Sequence, residues 1–361
     1  MNFENTEFRQ EVLDLSNPFD VKLVVGFLKP LGFEFNTNDV EYTLIIYTLN
    51  GEIVGTGSHL GRILKYVAVS QKYRDSTAFA LLVTALVEKV LSAYRNVYVF
   101  TRPANAIYFK GLGFKEIAVA KPLFCALEFG YYTVANYQDY LKSIKKIVSS
   151  DSIAAIVVNC NPFTMGHRYL IEKAASENEL VYLFVVEEDH SVFPFAVRWE
   201  LIRKGIAHLS NIVMVKGGDY IVSGAIFPAY FLKNELVSEI MKKQAELDVS
   251  IFAKYVVPVL EIKKRYVGTE NYCKTTAAYN GAMKTILPKY GVEVIEIERI
   301  NSPFDQSDAP KCISASLVRE AIKNDNLSKM LDCLPEPTRE FLLSDESKSI
   351  REKIKTSSER H

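Results

Sequence analysis

The chain has 361 residues, with 43 Lys plus Arg against 43 Asp plus Glu, and it is 48% hydrophobic and 12% aromatic. Its length suits two domains. The balanced charge, which holds in both halves, excludes a nucleic-acid binder that must compete for phosphate with a basic excess, and the apolar content excludes a disordered chain. No apolar run approaches the roughly 20 residues of a membrane-spanning helix, and the start, Met1-Asn2-Phe3-Glu4-Asn5, lacks the basic and apolar regions of a signal peptide. A cytoplasmic protein with no membrane partner is expected. Cys125, Cys160, Cys273, Cys312 and Cys333 are odd in number and scattered, with no Cys-x-x-Cys pair. That argues against a disulfide framework or structural zinc and reads as small buried hydrophobes.

Tyr42 to Tyr47 alternates in a strand pattern, Asn50-Gly51 supplies the positive-φ pair of a tight hairpin turn, and Ile53-Val54-Gly55 resumes the strand. Leu64–Val69 and Val97–Phe100 read as further strands. Between them Phe79, Leu82, Val83, Leu86 and Val90 recur at helical spacing over 78–93. The front half is therefore expected to be antiparallel sheet plus helix. The stretch 141–152, rich in Lys and Ser, reads as a linker or helix end.

Beyond it the pattern changes. The runs 153–158, 181–186, 212–215, 250–257 and 292–297 are continuously apolar, as strands covered by helices on both faces require. Residues 151–343 are thus expected to form a doubly wound parallel sheet, which binds ligands at the carboxyl ends of its strands. The segment 344–361, mainly Ser, Glu, Lys and Arg, reads as a polar C-terminal tail.

One stretch carries the chemistry: Ile156-Val157-Val158-Asn159-Cys160-Asn161-Pro162-Phe163-Thr164-Met165-Gly166-His167. Pro162 ends a buried strand because it cannot donate to a ladder. Gly166 removes a side chain where a ligand must approach backbone, and the new helix presents unpaired N–H groups suited to phosphate. His167, on the first turn, is placed to hydrogen-bond an α-phosphate oxygen as charge builds in a pentavalent transition state, which is electrostatic catalysis. The competing reading is a strand-to-helix turn with an incidental histidine. Far downstream, Cys312-Ile313-Ser314-Ala315-Ser316-Leu317-Val318-Arg319 is a second strand exit into a helix. Ser314 or Ser316 can cap it, and Arg319 on its first turn faces the same anion-binding space, its guanidinium suited to the β- and γ-phosphates. An ordinary N-cap is the competing reading here.

Thr164-Met165-Gly166-His167 and Ile313-Ser314-Ala315-Ser316-Leu317-Val318-Arg319 resemble, in order and context, the two signatures of the nucleotidyltransferase superfamily, T/H-x-G-H and I-S-x-S/T-x-x-R. That resemblance implies adenylyl transfer from ATP with release of pyrophosphate. It implies catalytic roles for His167, Arg319 and Thr164, and ATP contacts at Asn159, Asn161, Phe163, Thr164, Gly166, His167, Gly268, Glu270, Ser314, Ser316 and Arg319. Arg168 and Arg198 are further cationic candidates, and the sequence names no residue that holds Mg²⁺.

The front half, residues 1–140, resembles the GNAT-like acetyltransferase fold. Val67 to Arg74 with the following helix occupies the place of that fold's pyrophosphate-binding element, and Ala106 to Phe114 resembles its later Gly-Phe segment. Asp75, Thr77 and Phe79 stand where that fold has a glycine-rich loop, adding acidic charge and bulk, which argues against ordinary acetyl-coenzyme A binding.

A GNAT-like domain followed by a Thr-x-Gly-His nucleotidyltransferase domain resembles the citrate lyase ligase family. The resemblance implies that acetate attacks Mg-ATP to give acetyl-adenylate and pyrophosphate. The prosthetic-group thiol of the citrate lyase acyl carrier protein then takes the acetyl group, releasing AMP and activating citrate lyase. An adenylyltransferase for pantetheine phosphate or nicotinamide mononucleotide shares the back-half motifs but does not need the front domain. A nucleotide-sensing regulator does not need His167 and Arg319, and an active acetyltransferase is disfavoured by Asp75, Thr77 and Phe79.

Overall fold

The computed structural model describes residues 7–149, 152–187, 191–221, 231–232, 235–269, 274–298 and 314–356. The chain divides into two compact units, Met1–Tyr137 with Gly224–Leu247, and Gln138–Ser223 with Asp248–His361. The return of a later segment to the first unit was not expected. Within that unit it is tied by an Arg102–Glu235 ion pair at 3.1 Å and an edge contact between Phe124 and Phe231.

The first unit is built on seven strands, β1 (Phe8–Val12), β2 (Tyr42–Thr48), β3 (Ile53–Leu60), β4 (Ile63–Val69), β5 (Asn96–Thr101), β6 (Lys115–Ala120) and β7 (Phe124–Gly130), in the order β1-β2-β3-β4-β5-β7-β6. Its helices are α1 (Pro18–Leu28), α2 (Ala78–Leu91) and α3 (Ala106–Lys110), with α4 (Val134–Ile144) beginning at its edge. The chain turns at Asn50-Gly51 as expected, but not with the expected pair of positive φ values: Gly51 has φ +84° while Asn50 does not have positive φ, and the Thr48 N–H donates to the Glu52 carbonyl at 2.9 Å. Leu82, Val83, Leu86 and Val90 of α2 bury against Leu44, Ile46, Val54 and Leu64 of the sheet.

The expectation of antiparallel sheet needs one correction, because β4 and β5 run parallel. The helix between them is a crossover, which reverses no direction. They pair only at Ile63 with Tyr98 and Leu64 with Val99, so the rest of β4 has no β5 partner.

The second unit is a sheet of five parallel strands, β8 (Ile153–Val158), β9 (Leu180–Val185), β10 (Ile212–Lys216), β11 (Lys264–Gly268) and β12 (Glu293–Ile297), in the order β10-β9-β8-β11-β12. Its helices are α5 (Met165–Glu177), α6 (Phe195–Gly205), α7 (Val237–Ile251, its last residues), α8 (Val257–Leu260), α9 (Lys274–Ile286), α10 (Ala315–Lys323), α11 (Glu336–Leu343) and α12 (Lys348–Thr356). The doubly wound reading holds, with one element misplaced. Residues 250–257, expected as a strand, are the end of α7, a π-helical segment Phe252–Val256 and the start of α8, whose second residue is Pro258. The strand is Lys264–Gly268. A short apolar run does not distinguish a buried helix from a buried strand, and the true strand carries Lys264 and Arg265 where the pattern asks for apolar residues.

The tail also departs from expectation. Ile350 and Ile354 of α12 are buried with Val318 and Ile322 of α10 and Leu342 of α11, so 348–356 belongs to the packed unit. Cys125, Cys160 and Cys333 are buried thiols in no disulfide; Cys273 and Cys312 lie outside the described residues. Among the described residues no helix is long and apolar enough to cross a membrane.

Candidate active site

The strand order reverses between β8 and β11, and a ligand crevice forms at the carboxyl ends of strands where that happens. Here the sheet opens as well. β8 pairs with β9 along its whole length but with β11 only at Ala154–Lys264 and Ala155–Arg265, so the ladder between the two ends before Ile156. A cavity of about 280 Å³ occupies the split, lined among others by Val158 and Asn159 at the end of β8, Gly268 at the end of β11, and Tyr279 and Asn280 of α9.

The loop 159–164 leaves β8 at this point and enters α5, with Cys160 at φ +54° and a cis Asn161–Pro162 bond. Thr164 caps the helix in a reciprocal capping box. Its backbone N–H donates to Nδ1 of His167 at 3.1 Å, and its Oγ1 lies 2.9 Å from the same nitrogen. Because an amide can only donate, Nδ1 accepts and the imidazole proton sits on Nε2. The ring is therefore set as a hydrogen-bond donor through Nε2.

Phe163 is fully buried, its ring nearly parallel to that of His167 with centroids 6.2 Å apart. A Cβ at Gly205 would come within 2.5 Å of the Phe163 ring, so that glycine admits the phenyl group. Phe163 thus lies behind the imidazole in the packed core. Thr164 is equally buried and acts through its capping bonds.

Arg319, on α10, is 158 positions away in sequence, yet its Nη1 donates to the carbonyl oxygen of Asn161. Nη2 lies 3.4 Å from the Ser316 hydroxyl, and the Ser314 hydroxyl caps α10 by accepting the Leu317 N–H at 3.3 Å. Burial holds the guanidinium below its usual pKa. Both motifs therefore meet on one loop. Gly166 lies in the first turn of α5. Asn161 accepts the Phe193 N–H at 3.1 Å, and Asn159 exchanges hydrogen bonds with the Ser191 hydroxyl at 3.0 and 3.2 Å.

The two further arginines differ. Arg198, with no exposed surface, donates from Nε to the Phe193 carbonyl at 2.9 Å and from Nη1 to those of Asn159 at 2.9 Å and Val186 at 2.7 Å. It positions the loop. Arg168 pairs one turn along its own helix with Glu172 at 2.7 Å, and Glu172 also meets His208 at 2.8 Å. The Gly268 carbonyl accepts the Asn280 side-chain amide at 3.1 Å. Glu270 and Ile313 lie outside the described residues. Among the described residues no three His, Cys, Asp or Glu side chains are grouped to hold a metal ion.

Sequence reading missed Ser191, which orients Asn159, and Arg265, which lines the cavity. Ser191 had no motif around it. Arg265 had a signal, a charge inside a strand of a two-face-covered sheet, which was masked by the misassigned strand.

A parallel sheet split at its switch point, with Thr-x-Gly-His opening one helix and a Ser-capped arginine helix brought to the same loop, defines an α/β enzyme of the nucleotidyltransferase type. Residues 153–342 match the family model described as the citrate lyase ligase C-terminal domain. The chain is 36% identical over 344 residues to [citrate [pro-3S]-lyase] ligase of Haemophilus influenzae, covering 95% of this chain and 98% of that one. It is 34% identical over 304 residues to the protein of that name from Klebsiella pneumoniae, covering 83% and 86%. A phosphopantetheine adenylyltransferase of Corynebacterium efficiens is 23% identical over 154 residues, only 38% of this chain but 91% of that one. The chain belongs to the citrate lyase ligase family.

Proposed function

We propose that the chain is an acid-thiol ligase that activates citrate lyase by acetylating the prosthetic-group thiol of its acyl carrier subunit. The observation that carries the reading is the bond from Arg319 to the Asn161 carbonyl, which gathers both phosphate-binding motifs at the split between β8 and β11. MgATP is a substrate. One carboxylate oxygen of acetate attacks the α-phosphorus, and the bond to the bridging oxygen breaks, so that pyrophosphate leaves with the electron pair. The thiol sulfur then attacks the acetyl carbon, the bond to AMP breaks, and the thiol proton passes to solvent.

In this reading His167 donates from Nε2 to a non-bridging α-phosphate oxygen as its charge grows, and the first-turn amides of α5 add their dipoles. Arg319 grips the β- and γ-phosphates while remaining bonded to the loop. Asn159, Asn161, Gly166, Gly268, Glu270, Ser314 and Ser316 complete the nucleotide contacts, with Phe163, Thr164 and Arg198 supporting from behind. The unpaired stretch of β4 and β5 gives the first unit a place for a pantetheine arm, whose amides hydrogen-bond as a strand does.

Acetate-dependent exchange of labelled pyrophosphate into ATP is the deciding measurement. Exchange driven by acetate supports the ligase. Exchange only with pantetheine phosphate or nicotinamide mononucleotide would establish the simple adenylyltransferase, and none at all a nucleotide sensor. Surface plasmon resonance of the full chain against the carrier, with and without its prosthetic group, tests the docking role; equal binding to both forms sinks it.

A further inference from the structure

The cavity between β8 and β11 contains a charge that the nucleotide reading leaves unused. Arg265 is 9% exposed and lines the cavity, and its Nε and Nη1 are buried with no hydrogen-bond partner. Its guanidinium lies over the Phe252 ring, 4.6 Å from the centroid. Burial pushes its pKa down to about 10, and the nearby charge of Asp248 opposes that shift, so the group is a cation at neutral pH. Asp248, which also lines the cavity, offsets only part of the cost of burying that charge and gives those two nitrogens no hydrogen bond.

A buried cation with idle donors is costly unless an anion with acceptors completes it. Register places it well. Arg265 forms the last recorded β8–β11 pair, with Ala155, at the base of the split whose rim carries Asn159 and Gly268. Three residues of strand, roughly 10 Å, separate it from Gly268. Phe252 lies against the guanidinium, and Val157, Val249, Met283 and Leu287 add hydrocarbon to the cavity lining. A volume of about 280 Å³ is near the lower end of small-molecule sites and several times the ~30 Å³ share of one water. A neutral purine can accept from the idle donors through its ring nitrogens but brings no countercharge, whereas a small monocarboxylate supplies both and lays its alkyl end on the apolar wall.

We propose that Arg265 binds the carboxylate of the acid that is to be activated, at the base of the β8–β11 split, while the nucleotide is held at its rim. This deepens the ligase reading and rests on it for the identity of the acid, acetate. The bond is to the carboxylate as it waits; one of its oxygens faces the rim, where the α-phosphorus arrives.

The test is saturation-transfer NMR of acetate with the full-length chain in the absence of nucleotide, for the wild type, Arg265→Met and Arg265→Lys, with thermal melts of all three. The wild type transfers saturation to the acetate methyl group. Arg265→Met reduces acetate affinity at least about tenfold and changes ATP affinity less than about twofold, because it removes the charge and the donors while keeping much of the side chain's length. In pyrophosphate exchange its KM for acetate rises while its KM for ATP holds. Unchanged acetate binding in Arg265→Met overturns the proposal, as does a parallel loss of ATP, or a lowered melting temperature that Arg265→Lys restores without affecting acetate. No transfer in the wild type overturns it too. If the wild type binds acetate through Arg265 yet shows no acetate-dependent exchange, the carboxylate site stands and the ligase reading falls.

Discussion

The Nη1 of Arg319 donates to the carbonyl oxygen of Asn161, joining the second motif of the chain to the loop of the first. An ammonium lacks the flat set of donors that holds a carbonyl, a serine hydroxyl and phosphate together. Arg319→Lys should therefore lose nearly as much pyrophosphate exchange as Arg319→Ala, about 10²-fold or more, with little change in melting temperature. A lysine variant near wild-type rate would show that charge alone suffices.

His167 offers a sharper case, because the Thr164 amide fixes its proton on Nε2. Removing one such donor to a transition state costs about 10²–10³ in rate, the loss expected of His167→Ala. Gln keeps an N–H near the place of Nε2, so His167→Gln should recover part of it. A drop of less than about tenfold for the alanine variant rules out the catalytic role.

Arg198 is expected to behave in the opposite way. Replacing it with Met strands three carbonyl oxygens, those of Phe193, Asn159 and Val186. At about 1–3 kcal/mol for each unsatisfied group, the loss is at least about 3 kcal/mol. For a unit of this size that lowers the melting temperature by about 6–12 °C. An Arg198→Met protein that melts like the wild type would remove the positioning role.

These arginines show how much was legible in the sequence. Arg319 announced itself because the Ser-capped helix start repeats a local signature. Arg198 and Arg265 sit in no motif: what distinguishes them is the carbonyls and cavity wall they meet in three dimensions. The doubly wound sheet was readable from continuous apolar runs, but the run at 250–257 is helical and the neighbouring strand hides two cations. Packing decided both. In the tail only two apolar residues, Ile350 and Ile354, were available to read, and their spacing of four places both on one helix face.

That face gives another test. Ile354→Ala leaves a cavity beneath α10 and should cost about 2–4 kcal/mol. Because α10 carries Arg319, pyrophosphate exchange should decline as well, at temperatures where the protein remains folded. Full stability in the variant would return 348–356 to the status of a loose tail.

Alkaline pH should weaken the fold. Burial pushes the Cys125 thiol up to about 12 and drives Cys160 up as well, and Tyr66 and Tyr266 are each raised to about 12. All four folded-state values lie above those of the unfolded chain, so unfolding releases protons once the pH passes the unfolded thiol value of about 9. Their stabilising contribution is complete below that point and is lost as pH rises toward the folded values. Urea midpoints should fall between about pH 8 and about pH 10.5, and less steeply in Cys125→Ala. A flat profile contradicts the burial of these groups.

The pairing of Arg198 with the Asn159 carbonyl and of Arg319 with the Asn161 carbonyl has an electrostatic consequence. Carbonyl oxygens carry partial negative charge, and a loop that receives a polyphosphate would ordinarily repel it wherever its carbonyls turn toward the ligand. Here two of them, two positions apart, are already covered by guanidinium groups from two other helices. Under the proposed function, a triphosphate arriving at this loop meets two masked carbonyls, which leaves the nearby N–H groups and the imidazole proton as its unopposed donors.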